Sequence, residues 1–343
     1  MAEVGKILVV RLSSIGDIIL TTPLLRALRE KYPEAVITFL IKKQYADLLR
    51  SSPYISELVT LDTNEGFPGL RRIKCSLKAK QFDVYIDIHK NWRSVYIRLG
   101  LGVRMTLTYP KRIFRRSLLV WCKLNLYKHI EPVYLRYFES VRRLGVQYDG
   151  KGTEIHLPES TLEKVREMLL SFGFQFNRPL VVICPGATYF NKRWHAEGFT
   201  QTARYLIRER SAFVIIHGGK DDSGLCQEIA AGAGPQAVSM AGRLGLADSA
   251  ALLRLSTLVI ANDSGLLHMA QSQKRPVVGI YGPTTRELGF FPIEQNSTVV
   301  ETHLPCRPCT PKGLDRCPKK HFRCMNDITA EMVIQAALQY IQS

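Results

Sequence analysis

No stretch of the chain approaches the ~18 to 20 consecutive apolar residues that a membrane-crossing helix needs. The first apolar segment, Lys6 to Val10, is followed at once by Arg11 and soon by Asp17, which argues against a secretory leader and predicts a cytoplasmic protein. Low-complexity and disordered tracts are lacking too, and 46% hydrophobic with 22% charged residues is the composition of a soluble globular enzyme. No G-x-G-x-x-G follows any strand-like segment, which counts against a dinucleotide-binding oxidoreductase. No G-x-x-x-x-G-K followed by Ser or Thr occurs, which counts against a P-loop nucleotide hydrolase. Acidic residues are scarce in one region above all: between Val84 and Ile130 there are ten Lys and Arg and a single acid, Asp87.

What is present is an alternation of short apolar strands with helical patterns. At 343 residues two domains of roughly 150 residues are expected. Strands are predicted at 7–10, 35–40, 58–61 and 84–88 in the first half, with helices at 20–30 and 45–50. In the second half strands are predicted at 180–183, 213–216, 237–240, 258–260 and 277–280. Continuous apolar strands joined by helices mean parallel sheets covered on both faces, so the fold class is α/β with two doubly wound sheets. The break is placed at Gly173 to Pro179, after a helix at 162–171, giving domains 1–172 and 173–343. The amphipathic last helix, 330–341, is expected to pack back toward the first domain.

Charge and cysteine are both unevenly spread. Residues 1–150 hold 26 Lys and Arg against 13 Asp and Glu, which is +13 of the total +17. A basic half implies an acidic partner, and nucleic acid, an anionic membrane surface and a polyanionic small substrate all qualify. Nucleic acid is disfavoured because neither aromatic interleaving nor a helix-turn-helix or RNP motif is present. Cys75, Cys122, Cys184 and Cys226 sit singly in apolar stretches, as core residues of a reducing compartment do. Cys306, Cys309, Cys317 and Cys324 form a C-x2-C-x7-C-x6-C tail near His303 and His321, open to a structural zinc, a disulfide or free thiols.

Ligands of open parallel sheets collect at the carboxyl ends of the strands, and four loops there carry polar signals. The first strand runs into Ser13-Ser14-Ile15-Gly16-Asp17, with Ser14 as a small donor, Gly16 permitting close approach and Asp17 a carboxylate that either caps a helix or takes a proton. The strand ending at Cys184 opens into Pro185-Gly186-Ala187-Thr188 and then Lys192-Arg193, a cationic loop able to neutralise a diphosphate. The third is the turn His217-Gly218-Gly219. Most informative is Asn262-Asp263-Ser264-Gly265, which opens a helix carrying His268 one turn in. Unpaired backbone N–H groups and the helix dipole favour an anion at such a start, phosphate above all.

Three segments together resemble glycosyltransferase family 9, the ADP-heptose:lipopolysaccharide heptosyltransferases: Lys6 to Asp17, Pro185 to Trp194, and Asn262 to His268 with Pro276 and Tyr281-Gly282-Pro283-Thr284. The cysteine-rich tail is similar to one in relatives of the second-heptose type. The resemblance implies a GT-B architecture of two facing Rossmann-like domains, acceptor on the first and nucleotide sugar on the second, and inversion without a catalytic metal or cofactor. It implies Asp17 as general base and Lys192 as diphosphate partner. Asp263, Ser264, Gly265 and His268 then form the donor loop, with Ser14, Gly16, Pro185, Gly186, Thr188 and Gly218 beside the donor, ADP-heptose. Ser264 stands where relatives often have Thr, and residues 90–130 match no member. Lys90, Arg93, Arg104, Arg112, Arg115 and Arg116, from one basic stretch, are then the candidates expected to meet an anionic lipopolysaccharide core at the inner-membrane surface. A transferase using a UDP- or GDP-sugar, or an epimerase, would share the fold and phosphate loops.

Overall fold

The computed structural model describes residues 4–292 and 296–341. The chain forms two compact units, one from the residues up to Lys111 together with Val133–His156, the other from Arg112–Pro132 together with the residues from Leu157 onward.

The first unit is built on five parallel strands, β1 (Lys6–Val10), β2 (Val36–Lys42), β3 (Glu57–Leu61), β4 (Val84–Asp87) and β5 (Met105–Thr108), in the order β3-β2-β1-β4-β5. β1 is central because Ile7, Leu8, Val9 and Val10 are apolar on both faces and fully buried. Its carboxyl end aligns Val10 with Leu40 of β2 and Asp87 of β4. The order reverses at β1, so the loops after β1 and β4 flank the switch point where a doubly wound sheet leaves a crevice.

The second unit has six parallel strands, β6 (Leu180–Cys184), β7 (Phe213–Ile216), β8 (Ala237–Ser239), β9 (Leu258–Asn262), β10 (Val277–Tyr281) and β11 (Ser297–Glu301), in the order β11-β10-β9-β6-β7-β8. β6, β7, β9 and β10 are buried at every position. Here the switch falls between β6 and β9, whose registers bring Cys184 beside Ala261. The loops carrying Pro185 to Trp194 and Asn262 to Gly265 therefore emerge side by side.

Several expectations need correction. β5 and β11 were not anticipated; both lie at sheet edges, and Met-Thr-Leu-Thr and Ser-Thr-Val-Val-Glu lack the apolar run of a central strand. The helix expected at 45–50 is a 3-10 turn over Lys43–Leu48. The division does not follow 172/173: residues 112–132 and the helix Glu159–Ser171 belong to the second unit, where Lys164 pairs with Asp248 at 2.7 Å. The last helix, Ala330–Leu338, buries Val333, Ile334, Ala336 and Ala337 in the core of its own unit, against the strands β10 and β11 and the helix Ala196–Arg210.

Candidate functional site

In the first unit the chain leaves β1 through Arg11 to Ser14 and enters the short helix Ile15–Ile19, with Ser14 at its N-cap and Gly16 buried inside it. Asp17 is held from three directions. Arg11 Nη2 lies 2.7 Å from Oδ1, while Ser14 donates to Oδ2 from its hydroxyl at 2.8 Å and from its backbone N–H at 3.3 Å. Burial acts to raise the Asp17 carboxyl, but the Arg11 charge and the Ser14 donors outweigh it and hold the group below its ordinary range. Asp17 is thus an ionised acceptor at neutral pH.

Arg11 and His89 were missed by the sequence reading. Arg11 donates through Nε to the Ser13 carbonyl at 2.8 Å and through Nη1 to the Ile88 carbonyl at 2.5 Å, and its guanidinium lies 5.9 Å from the centre of the Tyr137 ring. It bolts the loop after β1 to the loop after β4. Its only sequence signal is a lone Arg ending an apolar strand. His89 follows β4, and burial, then the Arg11 charge, push its imidazole down to about 4, so it is neutral at pH 7. Asp87 is committed to its own turn: Oδ1 accepts from the His89 and Lys90 N–H groups at 3.0 and 2.6 Å, and Oδ2 from the Ser94 hydroxyl at 2.8 Å.

The second unit gathers the donor-loop candidates at the β6–β9 switch point. Asn262 locks the two loops together, donating to the Pro185 carbonyl at 2.7 Å and accepting from the Trp194 N–H at 3.2 Å. Lys192 Nζ lies 2.6 Å from Asp263 Oδ2, with side chains only 13% and 5% exposed. The same oxygen accepts from the Thr284 hydroxyl at 2.8 Å. Ser264 occupies the N-cap position of the helix Gly265–Ser272 without a capping hydrogen bond, and its buried hydroxyl has no partner among the described residues. A buried hydroxyl at a helix N-terminus, next in sequence to the carboxylate that holds Lys192, is chemistry suited to an anion.

Other expected donor contacts are placed differently. At Gly186 a Cβ would lie 2.3 Å from an Asp222 carboxylate oxygen, and at Gly218 a Cβ would lie 2.8 Å from Asp222 Cβ. Both glycines therefore make room for Asp222, which accepts from the Gly219 N–H at 3.0 Å and was not anticipated. Its signal was an acid three residues after a Gly-Gly turn. Thr188 is exposed in the turn after Gly186. His268 is buried, its ring centre 6.2 Å from that of Phe290.

The cysteine tail supports the Lys192 loop. Asn191 accepts from the Leu314 N–H at 2.8 Å and donates its own N–H to the Leu314 carbonyl at 3.1 Å, while Trp194 Nε1 donates to Ile328 at 3.0 Å. Arg307, between Cys306 and Cys309, donates to the Thr284 carbonyl at 2.9 Å and pairs with Glu301 at 2.6 Å. Thr284 in turn reaches Asp263. None of the four tail cysteines is joined in a disulfide in the structure. Cys306 Sγ lies 3.9 Å from His321 Nε2, and burial pushes Cys324 up to about 12. Among the described residues no three His, Cys, Asp or Glu side chains gather so as to hold a metal ion.

The six basic acceptor candidates do not form one cluster. Lys90 and Arg93 follow β4 at the carboxyl end of the first sheet, Arg93 lying 4.4 Å over the Trp92 ring. Arg104 precedes β5 and faces Asp83, which precedes β4, at 3.6 Å, so it sits at the opposite, amino end. Arg112, Arg115 and Arg116 belong to the second unit, and Arg112 pairs with Glu131 at 2.8 Å.

With this geometry in place the likeness to known proteins can be read. Residues 70–320 match the family model of glycosyltransferase family 9 (heptosyltransferase). The chain is similar to lipopolysaccharide heptosyltransferase 2 of Salmonella typhimurium, 27% identical over 296 residues covering 82% of this chain and 83% of that one. Among solved structures it resembles a family 9 glycosyl transferase from Veillonella parvula, 25% identical, covering 98% and 97% of the two chains with a TM-score of 0.83. It also resembles E. coli ADP-heptose lps heptosyltransferase II, 22% identical, with 98% coverage of each chain and a TM-score of 0.76.

Proposed function

We propose, because this chain belongs to glycosyltransferase family 9 and is a glycosyltransferase of GT-B fold, that it moves heptose from ADP-heptose onto the inner core of lipopolysaccharide. The observation that carries the donor half is the Lys192–Asp263 pair at the start of the Gly265–Ser272 helix, beside the unpartnered Ser264 hydroxyl. Lysine, hydroxyl and helix N–H groups together suit a diphosphate, and relatives named for ADP-heptose support adenosine as its nucleoside.

The reaction is a single displacement with inversion. An acceptor hydroxyl oxygen attacks the anomeric carbon, its proton passes to Asp17, and the bond from that carbon to the ADP oxygen breaks with both electrons leaving on ADP. A sugar hydroxyl is a poor nucleophile until a base takes its proton in the transition state, and the Asp17 carboxylate is ionised for that step. The charge growing on ADP is met by Lys192 and by the Ser264-Gly265 N–H groups, whose positions are fixed before reaction. Lys90 and Arg93 face the anionic acceptor. No helix among the described residues is long and apolar enough to cross a membrane, and the reading places the enzyme at the cytoplasmic face, where its acceptor is anchored.

The test is ADP release from ADP-heptose with defined core acceptors of increasing length, beside UDP- and GDP-sugars. Turnover with ADP-heptose that depends on a core acceptor supports the reading; preference for a UDP- or GDP-sugar would replace the donor.

A further inference from the structure

The two most exposed large apolar side chains among the described residues, Trp121 at 77% and Phe114 at 71%, lie in one short segment. Six of the fifteen exposed large apolar side chains are there: Ile113, Phe114, Trp121, Leu124, Leu126 and Ile130. The segment is helical from Ile113 to Cys122, so Ile113, Phe114 and Trp121 fall on one face, while Leu119 and Val120 turn inward. It is fastened to the second unit. Lys123 Nζ donates to the carbonyls of Cys306 at 2.9 Å and Pro308 at 2.6 Å, and Asn125 donates to Glu287 at 3.2 Å. Core packing does not account for apolar side chains held outward by such anchors.

Charge selects the partner. No acid occurs from Ile88 to Ile130, and Arg115, Arg116 and Lys128 make no ion pair among the described residues. Aromatic and aliphatic side chains mixed with unpaired cations, without acids, fit a surface that offers hydrocarbon beneath anionic headgroups. A protein partner of mixed charge would leave the cations unmatched, and a second copy of this chain would bring like charge against like. We infer that residues 113–130 are a membrane-docking element that seats Phe114 and Trp121 in the interface of an anionic bilayer. The inference rests on the proposed reaction for its purpose, bringing the enzyme to a membrane-anchored acceptor, but the docking itself is measured without any substrate.

The experiment uses the full chain and vesicles of phosphatidylglycerol with phosphatidylethanolamine that contain no acceptor, with phosphatidylcholine vesicles as the control. Binding is expected to the anionic vesicles, falling as salt rises, with Phe114→Ala/Trp121→Ala weakening it about tenfold or more. As a readout with the face intact, Trp121 emission in a Trp92→Phe background should shift to the blue and be quenched by brominated lipid. Trp194, which is 2% exposed, would not respond. On an acceptor stripped of its acyl chains, the double variant should turn over as the parent does. Vesicle binding unchanged by the double substitution, or Trp121 left in water, would overturn the inference. Loss of rate on the stripped acceptor would make the segment part of the acceptor site. Concentration-dependent dimers abolished by the substitutions would make it a self-association face. Docking without heptose transfer would defeat the proposed reaction and leave the element standing.

Discussion

Lys192 and Asp263 sit 2.6 Å apart and largely out of water, with Thr284 as a further donor to that carboxylate oxygen. Asp263 balances the Lys192 charge at rest, and the role proposed for the lysine is to meet the negative charge that develops on the departing ADP. Since that charge grows as the bond to ADP breaks, Lys192→Ala is expected to lower kcat roughly 10²-fold with a smaller loss of donor affinity. Turnover at saturating donor, set beside ADP titration calorimetry, separates the two; a loss of affinity alone would reduce Lys192 to ground-state binding. Arg11 acts on Asp17 in the opposite sense to burial. Asp17 is depressed in the folded protein, so the stability its ion pair contributes is present above the unfolded carboxylate pKa and is lost as pH falls through the folded value. Arg11→Met removes the lowering charge and leaves the burial, so the acid limb of kcat/KM is expected to move to higher pH. His89 is neutral down to about 4 and should add no limb near pH 6.5. An unmoved limb in Arg11→Met would mean that another group is the base.

At the scale of elements, the loop after β6 is shaped from outside itself. Asn191, which is 1% exposed, meets Leu314 through two hydrogen bonds, and the residue after it is Lys192. Asn191→Ala leaves the Leu314 N–H without its acceptor and is expected to cost about 1–3 kcal/mol in stability. It should also lower kcat without changing the pH profile, because the lysine is misplaced while the base is untouched. Denaturant unfolding and steady-state rates would check both; a stability loss with full activity would free the Lys192 loop from the cysteine tail. The same brace explains what a linear reading could not find. β6, β7, β9 and β10 are buried on both faces and announce themselves as apolar runs. The sequence distance from Asn191 to Leu314 carries no such mark, and neither does the fit of Gly186 and Gly218 around Asp222. Short motifs at strand ends marked the site loops, whereas residues that hold those motifs in place, such as Leu314 and Asp222, come from distant loops and turns and could be identified only in three dimensions.

At the scale of the whole chain, the charge of +13 in residues 1–150 was visible from composition, yet its organisation was not. The structure distributes the basic candidates over both ends of the first sheet and over the second unit, because residues 112–132 leave the first unit and return at Val133. An excursion of that kind has no composition signal, as helix and loop patterns look alike in either unit. Lys90 and Arg93 are the candidates left at the carboxyl end of the first sheet. Arg93→Ala is expected to raise acceptor KM several-fold at low salt and to flatten its rise with added salt, with donor affinity unchanged. Initial rates across a salt series would check this, and an equal loss of donor affinity would contradict the assignment of Arg93 to the acceptor.

The most direct test of the account is turnover of Asp17→Asn, since asparagine keeps the size of the side chain and can still accept from Ser14 while losing the basic oxygen. ADP release from ADP-heptose in the presence of a core acceptor is expected to fall by roughly 10²-fold or more, with ADP affinity close to that of the parent protein. Removing the carboxylate leaves the buried Arg11 guanidinium without its counter-charge and is expected to cost about 3–5 kcal/mol in stability, so circular dichroism is read first to establish that the chain is folded. Near-parental turnover in Asp17→Asn would contradict the mechanism.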